Sequence, residues 1–412
     1  MADRKTFLFL QGHHSSFWVR LGDALKADGH EVRKIRLSGQ DLVYWPRRGA
    51  TSYRGSKARW RGWVAEYMRR EGITDVLYYA DRHPWNVDAL AAAKDIGVRP
   101  WTIEFGYLRP DWLTLEPEAM GAFSRFPKEP AVIRRLGAAR DDEPDPTSGG
   151  VAYPSGFWAE AGADIGMFAS TITGWPLYPH YRLDLPYTIF THYGYWIKTL
   201  FTDARDEREA LAVQRACAAP TSDYTLFAMQ LAQDYQIRAS SRYDDYGDIV
   251  EEIFASFARG APPGRRLVMK MHPLDNGYQH WRRRVPEMAD RYGVSDRIDL
   301  IRGGDLGVFI RNAKGAVMAN STVGIHCLRV GVPVKALGEA VYDVPGLTHQ
   351  GALDDFWATP EPVDRELEAC FVRALAREIQ IKGSFYNPEG RQRAIDETVE
   401  RLTRRPYPDW AL

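Results

Sequence analysis

Four short stretches of this 412-residue chain release reactive side chains where an apolar run ends. In "RRLVMKMHPLDNG", Leu267–Met269 reads as a buried strand that gives up Lys270 and His272 before Pro273 stops it. A lysine and a histidine at a strand's carboxyl end could hold a phosphate and donate to a departing one; a turn histidine bonded to backbone is the alternative. In "GAVMANSTVGIHCLRVG" a strand runs into Asn320, Ser321 and Thr322 and then a helix. Hydroxyls there cap the helix, and its terminus suits an anion. Gly324 would let a ligand or a strand approach closely.

In "FAMQLAQDYQIR", Asp234 follows a strand-like run that includes Gln230; it could be a nucleophile, a base or a helix cap. In "WTIEFGYLRPDWLTLE", Glu104 closes a strand ahead of Gly106 and Arg109, and alone it reads as a solvated acid. Brought together, Glu104 and Asp234 would suit glycosyl chemistry, one attacking or stabilising while the other moves a proton. "LQGHHSSFWVRLG" offers Gln11, His13 and Ser15 at a first strand end. Its histidine pair has no evident third metal ligand, and no acidic pair stands at a strand end, so no metal is expected.

Positioning these residues requires alternating strands and helices. "TFLFLQG", "DGHEVRKIRL", "ITDVLYYADRHP" and "VRPWTIEFGYLRP" read as strands with helices between them, and a second series starts near Tyr224. Two such halves predict an α/β chain of two Rossmann-like domains facing across a cleft, with ligands at the carboxyl ends of the strands. The expected boundaries are 1–215, including an irregular 125–215 segment whose residues 151–205 show no clear period, then 216–385, then a C-terminal 386–412 helix and tail that packs back on the first domain.

Composition narrows the partners. Lys+Arg and Asp+Glu balance at 54 each, which argues against a nucleic-acid binder working through a whole-chain basic field. Locally, residues 47–70 carry seven Arg and one Lys against Glu66 alone, a pattern for anionic lipid or phosphate, or for a solvated helix face. Three scattered cysteines, a first apolar run too short for a secretory signal and no apolar stretch of spanning length point to a reducing cytoplasm.

Together, "FLFLQGHHSSFWVRLGDALKADGHEV", "IEFGYLRPDWLTLE", "QLAQDYQIRASSRY", "MKMHPLD", "NSTVGIHCLRVGVPVKALGEAVYDVPGLT" and "LDDFW" resemble the KpsS/KpsC-type capsule polysaccharide proteins. The resemblance covers most of the chain, is weakest at 125–220, and fits a single-module, KpsS-like member. It implies a GT-B-like fold and a retaining β-Kdo transferase that uses CMP-Kdo and no metal. It assigns Asp234 as nucleophile and Glu104 as acid/base, with exchange of the two roles left open. It gives CMP-sugar contacts to Lys270, His272, Pro273, Gln230, Asn320, Ser321, Thr322 and Gly324, with acceptor contacts at Gln11, His13, Ser15 and Arg109. The implied acceptor is lysophosphatidylglycerol or a Kdo-primed lipid, with contacts to the inner membrane's cytoplasmic face and to capsule assembly proteins. The rivals are a transferase with another nucleotide-sugar donor and a non-catalytic assembly or export factor that binds a lipid-linked glycan.

Overall fold

The computed structural model describes residues 4–140, 144–154, 156–183, 189–231, 243, 245–275 and 277–411. The chain divides into two compact units, one of residues 1–126, 139–184 and 372–412, the other of residues 127–138 and 185–371.

The first unit is built on β1 (Thr6–Phe9), β2 (Glu31–Arg36), β3 (Thr51–Ser52), β4 (Asp75–Tyr78), β5 (Arg99–Phe105) and β6 (Trp112–Pro117). Strand β1 alternates its side chains between the faces of the sheet, as a pleated strand must. Phe7 and Phe9 join a core with Phe17, Trp18 and Ile395, while Leu8 and Leu10 join another with Trp60, Val64 and Trp85. With helices on both faces, the strands run parallel in the order β3-β2-β1-β4-β5.

The second unit holds β7 (Tyr224–Ala228), β8 (Arg266–Lys270), β9 (Ile298–Ile301), β10 (Gly315–Met318) and β11 (Val334–Ala336), all parallel in the order β11-β10-β7-β8-β9. Counted within each unit, both sheets therefore follow the same 3-2-1-4-5 order. The order reverses beside the first strand, and there the diverging connections open a crevice beyond the carboxyl ends. That switch point lies between β1 and β4 in one unit and between β7 and β10 in the other.

The boundaries differ from those expected at 215 and 385. Residues 372–385 return to the first unit because β12 (Gln380–Lys382) pairs antiparallel with β6, itself antiparallel to β5. The helix Ile189–Cys217 belongs to the second unit, where Asp206 meets Arg282 at 2.5 Å and Gln214 accepts the Asp305 N–H at 2.7 Å. The terminal helix Pro388–Arg404 lies on the helix Phe17–Ala27, with Arg404 paired to Asp28 at 2.7 Å. No described helix is long and apolar enough to cross a membrane.

Candidate active site

The β1–β4 switch point of the first unit carries a close group of titratable side chains. Main-chain pairing continues past the strand ends, where Tyr79 N–H donates to the Gln11 carbonyl at 3.1 Å, so the side chains that follow sit on a stiff base. His13 is 1% exposed and stacks on Phe385 at 4.3 Å and on His14 at 4.2 Å. It meets Tyr79 and Phe105 edge-on at 5.1 and 5.3 Å. Burial first, and the neighbouring His14 second, hold its imidazole well below the usual range, so it is neutral at physiological pH. Its Nε2 lies 3.3 Å from the Tyr386 hydroxyl, and its Nδ1 has no hydrogen-bond partner.

Glu104 enters this group from the end of β5. Its carboxylate accepts the Ala80 N–H at the end of β4. Burial, reinforced by the charge of Asp81, pushes its pKa up to about 8, so at neutral pH it is mostly protonated, although the residue keeps some solvent access. A carboxyl poised near the working pH is suited to moving a proton. Arg109 sits over the Phe105 ring at 5.3 Å, on the rim of the same group. The other acceptor residues read from the sequence are held inside the fold. Gln11 donates to Ser38 Oγ at 2.8 Å and accepts the Tyr181 hydroxyl at 2.7 Å, and Ser15 Oγ accepts the Phe17 N–H at 3.3 Å.

A second buried acid in this unit has a different place. Glu116 of β6 accepts the Tyr107 hydroxyl at 3.2 Å and also the Ser124 hydroxyl, and burial pushes its pKa up to about 8. It lies in the sheet interior, so Glu116→Gln should raise thermal stability at alkaline pH and leave catalysis unchanged. Melting curves beside an activity assay check this.

In the second unit Gln230 and Asn320 bridge the β7–β10 switch point. The Gln230 amide donates to Asn320 Oδ1 at 2.8 Å and accepts the Asn320 N–H at 3.1 Å. Ser321 Oγ accepts the Val323 N–H at 3.3 Å at the start of the helix Val323–Arg329, while the adjoining Thr322 makes no side-chain cap. The space beside Gly324 is filled by the protein: a Cβ there would lie 2.4 Å from the Tyr342 ring, whose hydroxyl donates to the Ser321 carbonyl at 2.7 Å. The close approach expected at Gly324 is made on its Cβ side by Tyr342. Gly324→Ala should cost about 1–3 kcal/mol, measurable by urea unfolding.

Strand β8 releases Lys270 and His272 to different tasks. The Lys270 ammonium donates to the carbonyls of Gly303 and, at 3.1 Å, Gly304, and so pins the loop after β9. This loop tie engages the ammonium for which the sequence suggests a phosphate contact. His272 Nδ1 accepts the Leu274 N–H at 3.1 Å, which leaves the proton of the neutral ring on Nε2. Exposed Pro273 begins the turn, and Asp275 closes it by accepting the Gly277 N–H at 2.7 Å. Asp234 lies outside the described residues, so its juxtaposition with Glu104 does too.

Tyr79, Asp81 and Tyr386 join the Glu104 group although none was singled out from the sequence. The first two stand at and just past the end of β4, a central strand, and that position was the available signal. Tyr386 arrives from the far end of the chain and carries no local signal.

Two Rossmann-like units with polar groups gathered at both switch points define an α/β protein of the double-Rossmann class. The chain belongs to the capsule polysaccharide biosynthesis protein family, whose description matches residues 74–386. It is 30% identical over 390 residues to the Escherichia coli capsule polysaccharide export protein KpsS, covering 93% of this chain and 97% of that one. It is 28% identical to the capsule polysaccharide modification protein LipB of Neisseria meningitidis serogroup A, over 93% of this chain and 92% of that one. Among solved structures, the Thermosulfurimonas dismutans KpsC beta Kdo 2,7 transferase superposes with a TM-score of 0.44 at 13% identity, over 97% of this chain and 98% of that one.

Proposed function

We propose that the chain is a retaining glycosyltransferase that moves Kdo from CMP-Kdo to a lipid or Kdo-primed lipid at the cytoplasmic face of the membrane. The observation that carries this reading is Glu104, a carboxyl with its pKa pushed up to about 8 among His13, Tyr79 and Phe105 at the β1–β4 switch point. Family membership supports the capsule setting.

In the proposed cycle the Asp234 carboxylate attacks the anomeric carbon as the bond to the CMP phosphate oxygen breaks. The departing phosphate is a good leaving group that needs no metal; His272 Nε2–H and the Asn320–Ser321 turn are its proposed contacts. The acceptor hydroxyl oxygen then attacks the same carbon, Glu104 takes its proton, and the Asp234 carboxylate is released. Two inversions restore the original configuration.

The test is a donor screen scored by nucleotide release, with lysophosphatidylglycerol and a Kdo-primed lipid as acceptors. Acceptor-dependent CMP release that vanishes in Asp234→Ala supports the proposal, and turnover only with another nucleotide sugar overturns the donor assignment. The Escherichia coli relative is called an export protein, which favours a second reading, that of an export factor without catalysis. That reading predicts normal capsule complementation by Asp234→Ala and Glu104→Ala.

A further inference from the structure

The helix Phe157–Thr173 presents an apolar face to water. Trp158, Gly162, Ile165, Ala169 and Ile172 recur at helical spacing, and all are exposed. Trp158 is 83% exposed, Ile165 54% and Ile172 50%. The stripe carries no charge. The helix's two acids lie off it, and Asp164 is bonded to His14 at 2.6 Å. Beyond the helix, Trp175 and Leu177 continue the exposed apolar run. The outward side of a helix on a soluble domain ordinarily carries its charges, and a contiguous apolar face there marks an interaction site.

What flanks the stripe indicates its partner. The helix Gln40–Tyr44 is seated against it: the Tyr44 hydroxyl donates to the Ala163 carbonyl at 2.9 Å, and a Cβ on Gly39 would lie 1.9 Å from the Ser170 oxygen. This short helix adds exposed Leu42 and Val43. The chain from 42 to 65 then bears six cations, of which Arg47, Lys57 and Arg61 pair with Asp23, Asp88 and Asp95, and Ser52 Oγ lies 3.0 Å from the Tyr178 hydroxyl, which ties this basic segment to the end of the apolar run. Arg48 and Arg54 are exposed.

We infer that this face docks on an anionic bilayer surface, with Trp158, Ile165, Ile172 and Trp175 at the headgroup–acyl boundary and Arg48 and Arg54 on lipid phosphates. Charge selects this occupant. The exposed Arg48 and Arg54, which no acid among the described residues pairs, stand beside an uncharged apolar stripe and complement a negative plane, whereas they repel a second copy of the same face. Tryptophan near each end of the stripe suits the interface, where an apolar ring and a polar N–H are both satisfied. The inference deepens the proposed lipid acceptor, since His14–Asp164 links this helix to the Glu104 group, but vesicle binding requires neither donor nor transfer.

The test is sedimentation of the full chain with phosphatidylcholine vesicles, with and without phosphatidylglycerol. The chain is expected to sediment with the anionic vesicles and to be released by salt. Trp158→Ser/Ile165→Ser should lower partitioning by roughly tenfold or more, and Arg48→Glu/Arg54→Glu by roughly a hundredfold. Both variants should keep the circular dichroism of the parent and its transfer to a water-soluble acceptor. Failure of the parent to bind anionic vesicles, or equal binding by the Trp158→Ser/Ile165→Ser variant, overturns the inference. Self-association abolished by that variant also overturns it and assigns the face to a second copy. Vesicle binding without any sugar transfer would leave the docking surface standing and remove the transferase reading.

Discussion

Glu104→Gln is expected to lower sugar transfer by roughly two to four powers of ten while making the protein more stable at alkaline pH. The substitution keeps a carbonyl oxygen for the Ala80 N–H and removes the group proposed to take the acceptor's proton. The stability gain follows from linkage. Burial raises the carboxyl from 4.5 to about 8, so between these values the folded chain holds a proton that the unfolded chain has released. Stability due to this group therefore falls as pH rises through that window, and above pH 8 the full cost, of the order of a few kcal/mol, is present. Glutamine has no such slope. Its advantage in Tm should be small near pH 5 and largest above pH 8, and melting curves across that range check it. Catalysis runs the other way: the base form is the carboxylate, so transfer by the parent should rise with pH toward about 8. A variant both slower and more stable would mark Glu104 as a group kept at an energetic cost for function.

Lys270→Met should destabilise the second unit by about 2–4 kcal/mol. Lys270 is 7% exposed and its ammonium donates to the carbonyls of Gly303 and Gly304, which the apolar side chain would leave unmatched. Burial holds the amine below the usual lysine range, with Glu207 and Asp305 nearby supporting its charge. The same loop is tied elsewhere, since Gly304 N–H donates to Glu207 at 3.1 Å. The loss should therefore appear as lower resistance to urea and faster amide exchange in residues 302–305. Weakened CMP binding at full stability would instead return Lys270 to the phosphate role that its place in "LVMKMHP" suggests.

How far the sequence speaks depends on how local the cause is. In the second unit "TLFAMQL", "RRLVMKMHP", "RIDLIRG", "GAVMANS" and "VPVKAL" each mark a strand to within a residue of the expected stretch, because apolar runs bounded by turn residues declare themselves locally. The helix Tyr246–Gly260 is equally legible, its apolar stripe preceded by Asp245 in a capping box. Strand β12 was invisible, since three residues pairing with a partner far back in the chain leave no pattern of their own. The helix Phe157–Thr173 also went unread, for a physical reason: apolar residues on its water-facing side erase the contrast on which helical periodicity rests. Site residues divide in the same way. The placing of Glu104 and His272 at strand ends is legible locally, because an apolar run stops beside each. The engagement of Lys270 by two carbonyls, and of Gly324 by Tyr342, depends on distant chain that no local motif encodes.

The central claim, Kdo transfer with Glu104 as the proton acceptor, is tested most directly by acceptor-dependent CMP release from CMP-Kdo, measured against pH for the parent chain and Glu104→Gln. The account predicts a parent rate that climbs with an apparent pKa near 8, and a low rate without that rise in the variant. Equal rates and equal pH profiles in the two proteins would contradict it.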